Sequence, residues 1–339
     1  MNENNVLKNY VCLNPFNHLE IFEKDVYCCC PGWLKLPVGD IDNLDDIWSG
    51  ENLKKIQDSV LDGSYSYCDK DLCPHLSEAF YSNSSRYFTK KTDFIREDYN
   101  HGPKIINLSF DRSCNLSCPS CRKHVESQEL NNNIMNDISD NFGNSVEIIM
   151  MSGAGDLFAS KTHRKFLIDF DKEKYKKLAS IHIQTNGLLL TKEMWDKINK
   201  LHNVIESITI SIDASTKETY KIIRRGGNWD TLMENLKFIS KLNCFLYFSF
   251  IVQDTNYKEM ESFYNLISNL APSAKIIFNK ITNWGTYSDQ EFKIKEIYNE
   301  SHPEFNLFLN ELSKVALKDK VLKTNMNDII EKYLKKNLI

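Results

Sequence analysis

The chain has 339 residues, which is enough for one large domain or two ordinary ones. Hydrophobic residues make up 42% of it and charged residues 26%, which is the balance of a globular protein with a sizeable core. A formal net charge of −4 gives no electrostatic reason to expect a nucleic-acid partner, and no apolar run approaches the roughly 18–20 residues of a membrane span.

The first hundred residues contain six of the ten cysteines and few long periodic segments. The first ten are polar and lack the apolar stretch of a signal peptide, so we expect a cytoplasmic protein. A β-hairpin is predicted around 21–27, and a helix over 51–61, where apolar residues recur at helical spacing. Because the cytosol keeps thiols reduced, grouped cysteines indicate metal ligands rather than a disulfide framework.

From residue 104 onward, predicted strands alternate with predicted helices. The strands are expected at 105–110, 146–151, 180–184, 207–212, 245–252 and 275–278. The helices are expected around 125–139, 161–170, 191–202, 216–224, 229–241 and 257–270, with two more in the tail 303–339. This rhythm favours a parallel sheet flanked by helices. Six units are too few for an eight-unit barrel, so a partial barrel and an open doubly wound sheet both fit the pattern.

The loop after the first of these strands carries a C-x3-C-x2-C motif made by Cys114, Cys118 and Cys121. One loop with this spacing can present three thiolates to three irons of a cluster and leave one iron open. An open coordination position on a metal centre is where a substrate or cofactor binds. The alternative is a zinc site, which needs a fourth ligand such as His124.

Glycines and polar residues follow the next three strands. Residues 152–156 read Ser-Gly-Ala-Gly-Asp, residues 184–187 read Gln-Thr-Asn-Gly, and residues 210–214 read Ile-Ser-Ile-Asp-Ala, with an Arg-Arg-Gly-Gly run at 224–227. Each motif taken alone is compatible with an ordinary turn. Their order, each at a strand's carboxyl end where α/β folds bind ligands, indicates a shared site. The candidate binding residues are Gly153, Gly155, Asp156, Asn186, Ser211, Asp213 and Arg225.

The cysteine loop and these motifs together resemble the radical S-adenosylmethionine (SAM) superfamily over roughly residues 104–280. The resemblance implies that the open iron of a 4Fe–4S cluster chelates SAM, which is cleaved to methionine and a 5′-deoxyadenosyl radical. It implies that Asp156 and its glycines hold the SAM amino group, and that Asn186 faces the ribose. Ser211 and Arg225 then contact the SAM carboxylate, and Asp213 belongs to the same strand-end motif. The sequence departs from the family pattern at Ser120, which is often aromatic, and at Leu157, which replaces a proline.

The fold expected with this resemblance is an α/β partial (β/α)6 TIM-like barrel with a small Cys-rich N-terminal domain and C-terminal helices. The domains are expected at 1–100, 101–285 and 286–339. The expected substrate is a sugar-like small molecule or a peptide, which is oxidised or epimerised, and the expected electron donor is flavodoxin- or ferredoxin-like. Cys244, which opens a strand, is a candidate hydrogen-atom donor, although a lone strand cysteine is more often a small buried hydrophobe. The alternative function is a zinc-stabilised, non-catalytic α/β binding module.

The N-terminal cysteines resemble the SPASM/twitch auxiliary-cluster domain, here placed before the barrel. The ligands implied for a second 4Fe–4S cluster are Cys12, Cys29, Cys68 and Cys73. Cys29 is chosen over Cys28 and Cys30 for its place after Asp-Val-Tyr, and adjacent strand side chains point to opposite faces. A full thiolate set leaves no iron open, which implies electron transfer or structural support. A zinc site with the same four thiolates is the alternative.

Overall fold

The computed structural model describes residues 7–76, 87–99, 101–131, 133–151, 153–322 and 325–334. The strands are β1 Tyr10–Cys12, β2 His18–Phe22, β3 Asp25–Tyr27, β4 Gly39–Asp40, β5 Phe88–Lys90, β6 Ile105–Ser109, β7 Ile148–Met151, β8 Ser180–Thr185, β9 Ile205–Ser211, β10 Phe245–Val252 and β11 Lys275–Lys280. The α-helices are α1 Asn14–Asn17, α2 Glu51–Leu61, α3 Ile134–Phe142, α4 Lys161–Ile168, α5 Lys192–Lys197, α6 Lys217–Ile223, α7 Trp229–Ile239, α8 Met260–Leu270, α9 Asp289–Lys295, α10 Phe305–Ser313 and α11 Asn327–Ile329. Short 3-10 turns lie at Leu7–Asn9, Ile47–Ser49, Lys91–Asp93, Arg96–Tyr99, Lys172–Lys174, Asn199–Leu201 and Tyr257–Glu259, and a π turn at Ile330–Leu334.

The chain divides into two compact units. The first comprises Met1–Arg112, Glu129–Gly155 and Lys165–His182, and the second comprises Ser113–Gln128, Asp156–Arg164 and Ile183–Ile339. The domain boundaries expected from the sequence stay predictions.

In the first unit the strands follow the order β7-β6-β2-β3-β4. The predicted N-terminal hairpin is present as the antiparallel pair β2 and β3. Strand β2 also pairs in parallel with β6, from His18 opposite Ile105 to Phe22 opposite Ser109. Strand β2 therefore has a neighbouring strand on each side, and its residue Leu19 is fully buried. The N-terminal hairpin is therefore continuous with the sheet that carries β6. Strands β1 and β5 form a separate antiparallel pair.

In the second unit the strands follow the order β11-β10-β9-β8, with residues 183–185 of β8 belonging to this unit. Strand β10 pairs in parallel with both β9 and β11. Alternate residues, such as Ile210, Phe248 and Phe250, are fully buried and pack under the helices. Because the strands are parallel, the segments that leave their carboxyl ends gather along one edge.

Side-chain caps start the helices that follow these strands. The Thr216 hydroxyl accepts from the N–H of Thr219 at the start of α6, and Asn228 accepts from Thr231 at the start of α7. Glu259 accepts from both the N–H and the hydroxyl of Ser215. The chain leaving β9 is thereby fixed where it turns into α6.

All six strands expected after residue 104 are present. The pairs β2–β6, β6–β7, β9–β10 and β10–β11 are parallel, whereas the pairs β2–β3, β3–β4 and β1–β5 are antiparallel. The helix expected from about 125 begins only at Ile134, because the backbone of Glu126 is bonded to Cys114 instead. In the expected helical tail, 323–324 and 335–339 lie outside the described residues. Within the part of the chain that is described, no helix combines the length and apolar character that crossing a bilayer requires.

Candidate functional site

The C-x3-C-x2-C loop is closed on itself by backbone hydrogen bonds. The N–H of Cys114 donates to the carbonyl of Glu126 at 2.9 Å, and the N–H of Cys121 donates to the carbonyl of Cys118 at 2.9 Å. Cys118 is buried, Cys114 is half-buried and Cys121 is exposed. The loop thus presents three free thiols at graded depths.

Each of the three sulfurs has a nitrogen donor beside it. The donors are Leu116 N to Cys114 Sγ at 3.4 Å, Arg122 Nη2 to Cys121 Sγ at 3.5 Å, and Arg224 Nη1 to Cys118 Sγ at 3.9 Å. Burial raises the pKa of Cys114 to about 11, and burial also raises the pKa of Cys118 against the opposing effect of Arg224. N–H donors of this kind stabilise sulfur that carries negative charge, as a metal-bound thiolate does.

Asp156 is the polar centre of the strand-end motifs and is 3% exposed. One carboxylate oxygen accepts from the Thr185 hydroxyl at 2.8 Å and from the N–H of Asn186 at 2.7 Å. The other accepts from the N–H of Phe158 at 3.0 Å, while the N–H of Asp156 donates to the carbonyl of Ser113 at 2.8 Å. Burial raises the pKa of Asp156, and these hydrogen bonds oppose that rise. Asp156 therefore links the segment Thr185–Asn186, at the end of β8, to the cysteine loop.

Replacing Asp156 by alanine should destabilise the protein by about 3 kcal/mol, because three buried donors lose their acceptor at once. Urea unfolding followed by circular dichroism measures this loss. The matched control is Asp196→Ala, which breaks only the exposed ion pair with Lys192 and should cost at most about 0.5 kcal/mol. Equal midpoints for the two variants would contradict the role given to Asp156.

Asn186 also joins its motif to the cysteine loop. Its side-chain Nδ2 donates to the side-chain Oδ1 of Asn115 at 2.8 Å, and its side-chain Oδ1 accepts from the N–H of Leu188 at 3.0 Å. The structure thus brings Asn186 and Asp156 together with the loop of Cys114.

Gly153 and Gly155 precede Asp156 and belong to the first unit. Gly153 has a φ of +109°, and a Cβ there would lie 2.6 Å from Ser109 Oγ. A side chain is disfavoured on both grounds, so glycine suits this position better than any other residue.

Ser211 and Asp213 lie at the end of β9, and both are buried. Asp213 adopts a φ of +62°, accepts from the N–H of Ile251 at 2.7 Å and pairs with Arg224 at 2.7 Å. Burial raises the pKa of Asp213, and the Arg224 guanidinium opposes that rise. Arg225, the arginine expected from the sequence, instead donates to Ser117 Oγ at 3.1 Å and to the Lys123 carbonyl at 2.9 Å. It braces the cysteine loop, while Arg224 reaches the sulfur.

Cys244 is not brought to these residues. It precedes the first residue of β10, whereas Ile251, which contacts Asp213, lies near the other end. Seven residues at a rise of about 3.3 Å put the two about 23 Å apart along the strand. Burial raises the pKa of the Cys244 thiol to about 11.

We therefore expect Cys244→Ala to change the free energy of unfolding by at most about 1 kcal/mol, because a half-buried thiol at the far end of a strand is a small hydrophobe. Urea unfolding followed by circular dichroism measures the change, with Asp156→Ala as the destabilised reference. A loss as large as that of Asp156→Ala would contradict this description of Cys244.

The family comparison decides what this arrangement is. Residues 108–267 match the family model of the radical SAM superfamily, a stretch that includes the cysteine loop and the Asp156, Asn186 and Asp213 motifs. Residues 108–267 are a radical SAM domain. Membership of this family implies a 4Fe–4S cluster and SAM.

Solved structures similar to the chain are distant from it. SuiB from Streptococcus suis matches at 13% identity and a TM-score of 0.45, covering 80% of this chain and 64% of SuiB. SuiB bound to precursor peptide SuiA matches at 12% identity and a TM-score of 0.46, covering 98% of this chain and 70% of SuiB. Native anSMEcpe with bound AdoMet matches at 14% identity and a TM-score of 0.47, covering 68% of this chain and 66% of anSMEcpe. In the first comparison the chain thus spans less than two thirds of SuiB. No curated protein sequence matches the chain.

The residues of the radical SAM domain fit a bound cluster. Arg224 Nε and Tyr220 Oη are buried and lack a hydrogen-bond partner in the described part of the chain. Arg224 lies beside Cys118, and the two side chains lie close enough for their charges to interact. Buried donors without partners are rare, and a cluster between the three thiols would give them acceptors.

Outside the radical SAM domain, the structure gathers the N-terminal cysteines. One cavity of the first unit is lined by Cys12, Cys29, Cys68 and Cys73, the four chosen from the sequence. Cys28 and Cys30 do not line it. All ten cysteines of the chain lie in described segments, and each is a free thiol. Among the described residues, no three His, Cys, Asp or Glu side chains converge on a single metal ion, whereas the thiolates of a 4Fe–4S cluster each bind a different iron.

Cys29 is distinguished from its neighbours by its hydrogen bonds. Its sulfur accepts from Asn14 Nδ2 and from Trp33 Nε1, each at 3.2 Å. Burial raises the pKa of Cys68 to about 12 and that of Cys73 to about 11. The cavity is thus a buried pocket of four thiols in which one sulfur already has two N–H donors.

Sequence reasoning missed Arg224, Thr185, Asn14 and Trp33. Arg224 carried a signal, since it adjoins the chosen Arg225 at a helix end. Asn14 and Trp33 carried none, because both reach Cys29 only through the folded chain.

Proposed function

We propose that this chain is an enzyme that reductively cleaves SAM at a 4Fe–4S cluster held by Cys114, Cys118 and Cys121. The match of residues 108–267 to the radical SAM family carries this proposal. When bound, the cluster supplies the electron that splits SAM to a 5′-deoxyadenosyl radical, which abstracts a hydrogen atom from the substrate. A flavodoxin- or ferredoxin-like donor supplies that electron.

The chain's own residues bind and orient. The three thiolates would hold three irons of the cluster and would leave the fourth iron open to SAM. Asp156, whose carboxylate is fixed by Thr185 and Asn186, offers a buried acceptor to the SAM amino group. Ser211 lies on the same strand end as Asp213 and faces the SAM carboxylate in this proposal.

The fold that we infer around this site is a partial (β/α)6 TIM-like barrel with a Cys-rich N-terminal part and C-terminal helices. The parallel pairs β2–β6, β6–β7, β9–β10 and β10–β11 support it. The substrate is a sugar-like small molecule or a peptide, and the outcome is oxidation or epimerisation. The polar groups at the strand ends suit a substrate that forms hydrogen bonds. Sugar-like molecules and peptides both do so.

We further propose a second, auxiliary 4Fe–4S cluster on Cys12, Cys29, Cys68 and Cys73. The shared cavity and the two N–H donors to Cys29 support it, since such hydrogen bonds are typical of cluster sulfurs. With four thiolates this cluster would exchange electrons rather than bind substrate.

Electron paramagnetic resonance tests the open iron of the first cluster. The protein is reconstituted anaerobically with iron and sulfide, reduced with dithionite and mixed with SAM. We expect the g values of the reduced cluster to change on SAM addition, with Cys118→Ala showing no such change. Colourless protein that retains zinc after the same treatment would instead support the zinc-stabilised binding module.

A further inference from the structure

Arg224 stands at the end of α6, where its N–H donates to the Tyr220 carbonyl at 2.8 Å and closes the helix. Its guanidinium turns inward and pairs with Asp213 at 2.7 Å. The Arg224 and Asp213 side chains are only 13% and 5% exposed. Both charges are therefore largely shielded from water, which screens their fields less than it would at the surface.

The guanidinium faces a thiol of the cysteine loop. Arg224 Nη1 lies 3.9 Å from Cys118 Sγ, and Arg224 Nε is buried without a hydrogen-bond partner in the described segments. Asp213 is fixed in turn by the N–H of Ile251 and by its own left-handed backbone. The positive charge is thus held in place beside the sulfur by a partner that cannot easily move.

We propose that Arg224, fixed by Asp213, is a positioning residue that acts through Cys118 to raise the reduction potential of the cluster. The inference rests on the proposed function, because it needs a cluster on the three loop cysteines. Reduction adds one negative charge to the cluster, and a buried cation beside one of its thiolates stabilises that charge. Asp213 opposes part of this effect, but it bonds Arg224 Nη2, whereas Nη1 is the nitrogen beside the sulfur.

A redox titration of the reconstituted protein, followed by electron paramagnetic resonance, tests the inference without any substrate. In Arg224→Gln we expect the ratio of reduced to oxidised cluster at a fixed potential to fall about tenfold, which is 59 mV for a one-electron couple. Arg224→Lys keeps the charge and should stay within about twofold of the wild type. The matched control is Lys221→Gln, an exposed charge on the same helix, which should leave the ratio unchanged.

A variant that removes both charges keeps the test decisive. Arg224→Gln leaves Asp213 unpaired and buried, which can prevent folding. The double variant Arg224→Gln, Asp213→Asn removes that cost, and the ratio should still fall, because Arg224 is nearer to Cys118. An unchanged ratio in a variant that assembles its cluster overturns the inference. A wild-type protein that assembles no such cluster overturns the proposed function instead.

Discussion

Cys118→Ala should abolish the formation of 5′-deoxyadenosine from SAM. Cys118 is the most deeply buried of the three loop thiols, and its sulfur faces Arg224, so no water or neighbouring side chain can replace it as a ligand. A cluster with two thiolates is lost or misplaced, and SAM then has no iron to chelate. Liquid chromatography with mass spectrometry should find the nucleoside at the level of a protein-free control.

The control for this loss is the auxiliary site. The Cys118→Ala protein should keep about four irons per chain, because the N-terminal cysteines lie in the other compact unit. Its urea midpoint should match that of the apo wild type. Normal nucleoside formation by Cys118→Ala would contradict the assignment of this loop as the SAM-cleaving site.

Cys29→Ala should lower the iron content from about eight to about four atoms per chain, because one ligand of the auxiliary cluster is removed. Cys29 lines the four-thiol cavity, and its sulfur accepts hydrogen bonds from Asn14 and Trp33. Colorimetric iron analysis of the anaerobically reconstituted protein measures the change.

Cys28→Ala and Cys30→Ala are the matched controls, because they remove the same atom from adjacent positions that do not line the cavity. Both should retain about eight irons. Iron loss in Cys30→Ala with full loading of Cys29→Ala would assign the ligand to Cys30. Zinc in place of iron at this site, with four irons elsewhere, would contradict an auxiliary cluster.

Much of the fold could be predicted because its signals are local. The strands after residue 104 are short apolar runs bounded by turn residues, and each is found within a few residues of its expected bounds. The late start of α3 at Ile134 could not be predicted, because Glu126 is held by Cys114, a contact set by the loop rather than by the helical pattern.

The parallel pairing of β2 with β6 also escaped prediction. It joins His18 to Ile105 across more than eighty residues, and hydrophobic alternation in a short strand does not name its partner. The hairpin itself was predictable, since a two-residue turn between β2 and β3 is a local feature.

In the candidate site, the sequence predicts which types of residue lie together. It does not predict which of two adjacent residues makes a given contact. Asp156 and Asn186 were expected to face SAM, and the structure adds that they also hold the cysteine loop and each other. Which of Arg224 and Arg225 is buried depends on the direction in which each side chain leaves the end of α6. Adjacent residues there point in different directions, so Arg224 pairs with buried Asp213 and Arg225 with the Lys123 carbonyl. The role of Cys244 as a hydrogen-atom donor stays a prediction, because a sequence does not tell which end of a strand faces the site.

The most direct test of the central claim is the fate of SAM itself. Wild-type protein reconstituted anaerobically with iron and sulfide is reduced with dithionite and incubated with SAM, and the products are quantified by mass spectrometry. We expect 5′-deoxyadenosine and methionine in equal amounts, formed only when reductant is present. Intact SAM after incubation with a fully reduced, iron-loaded protein would contradict it.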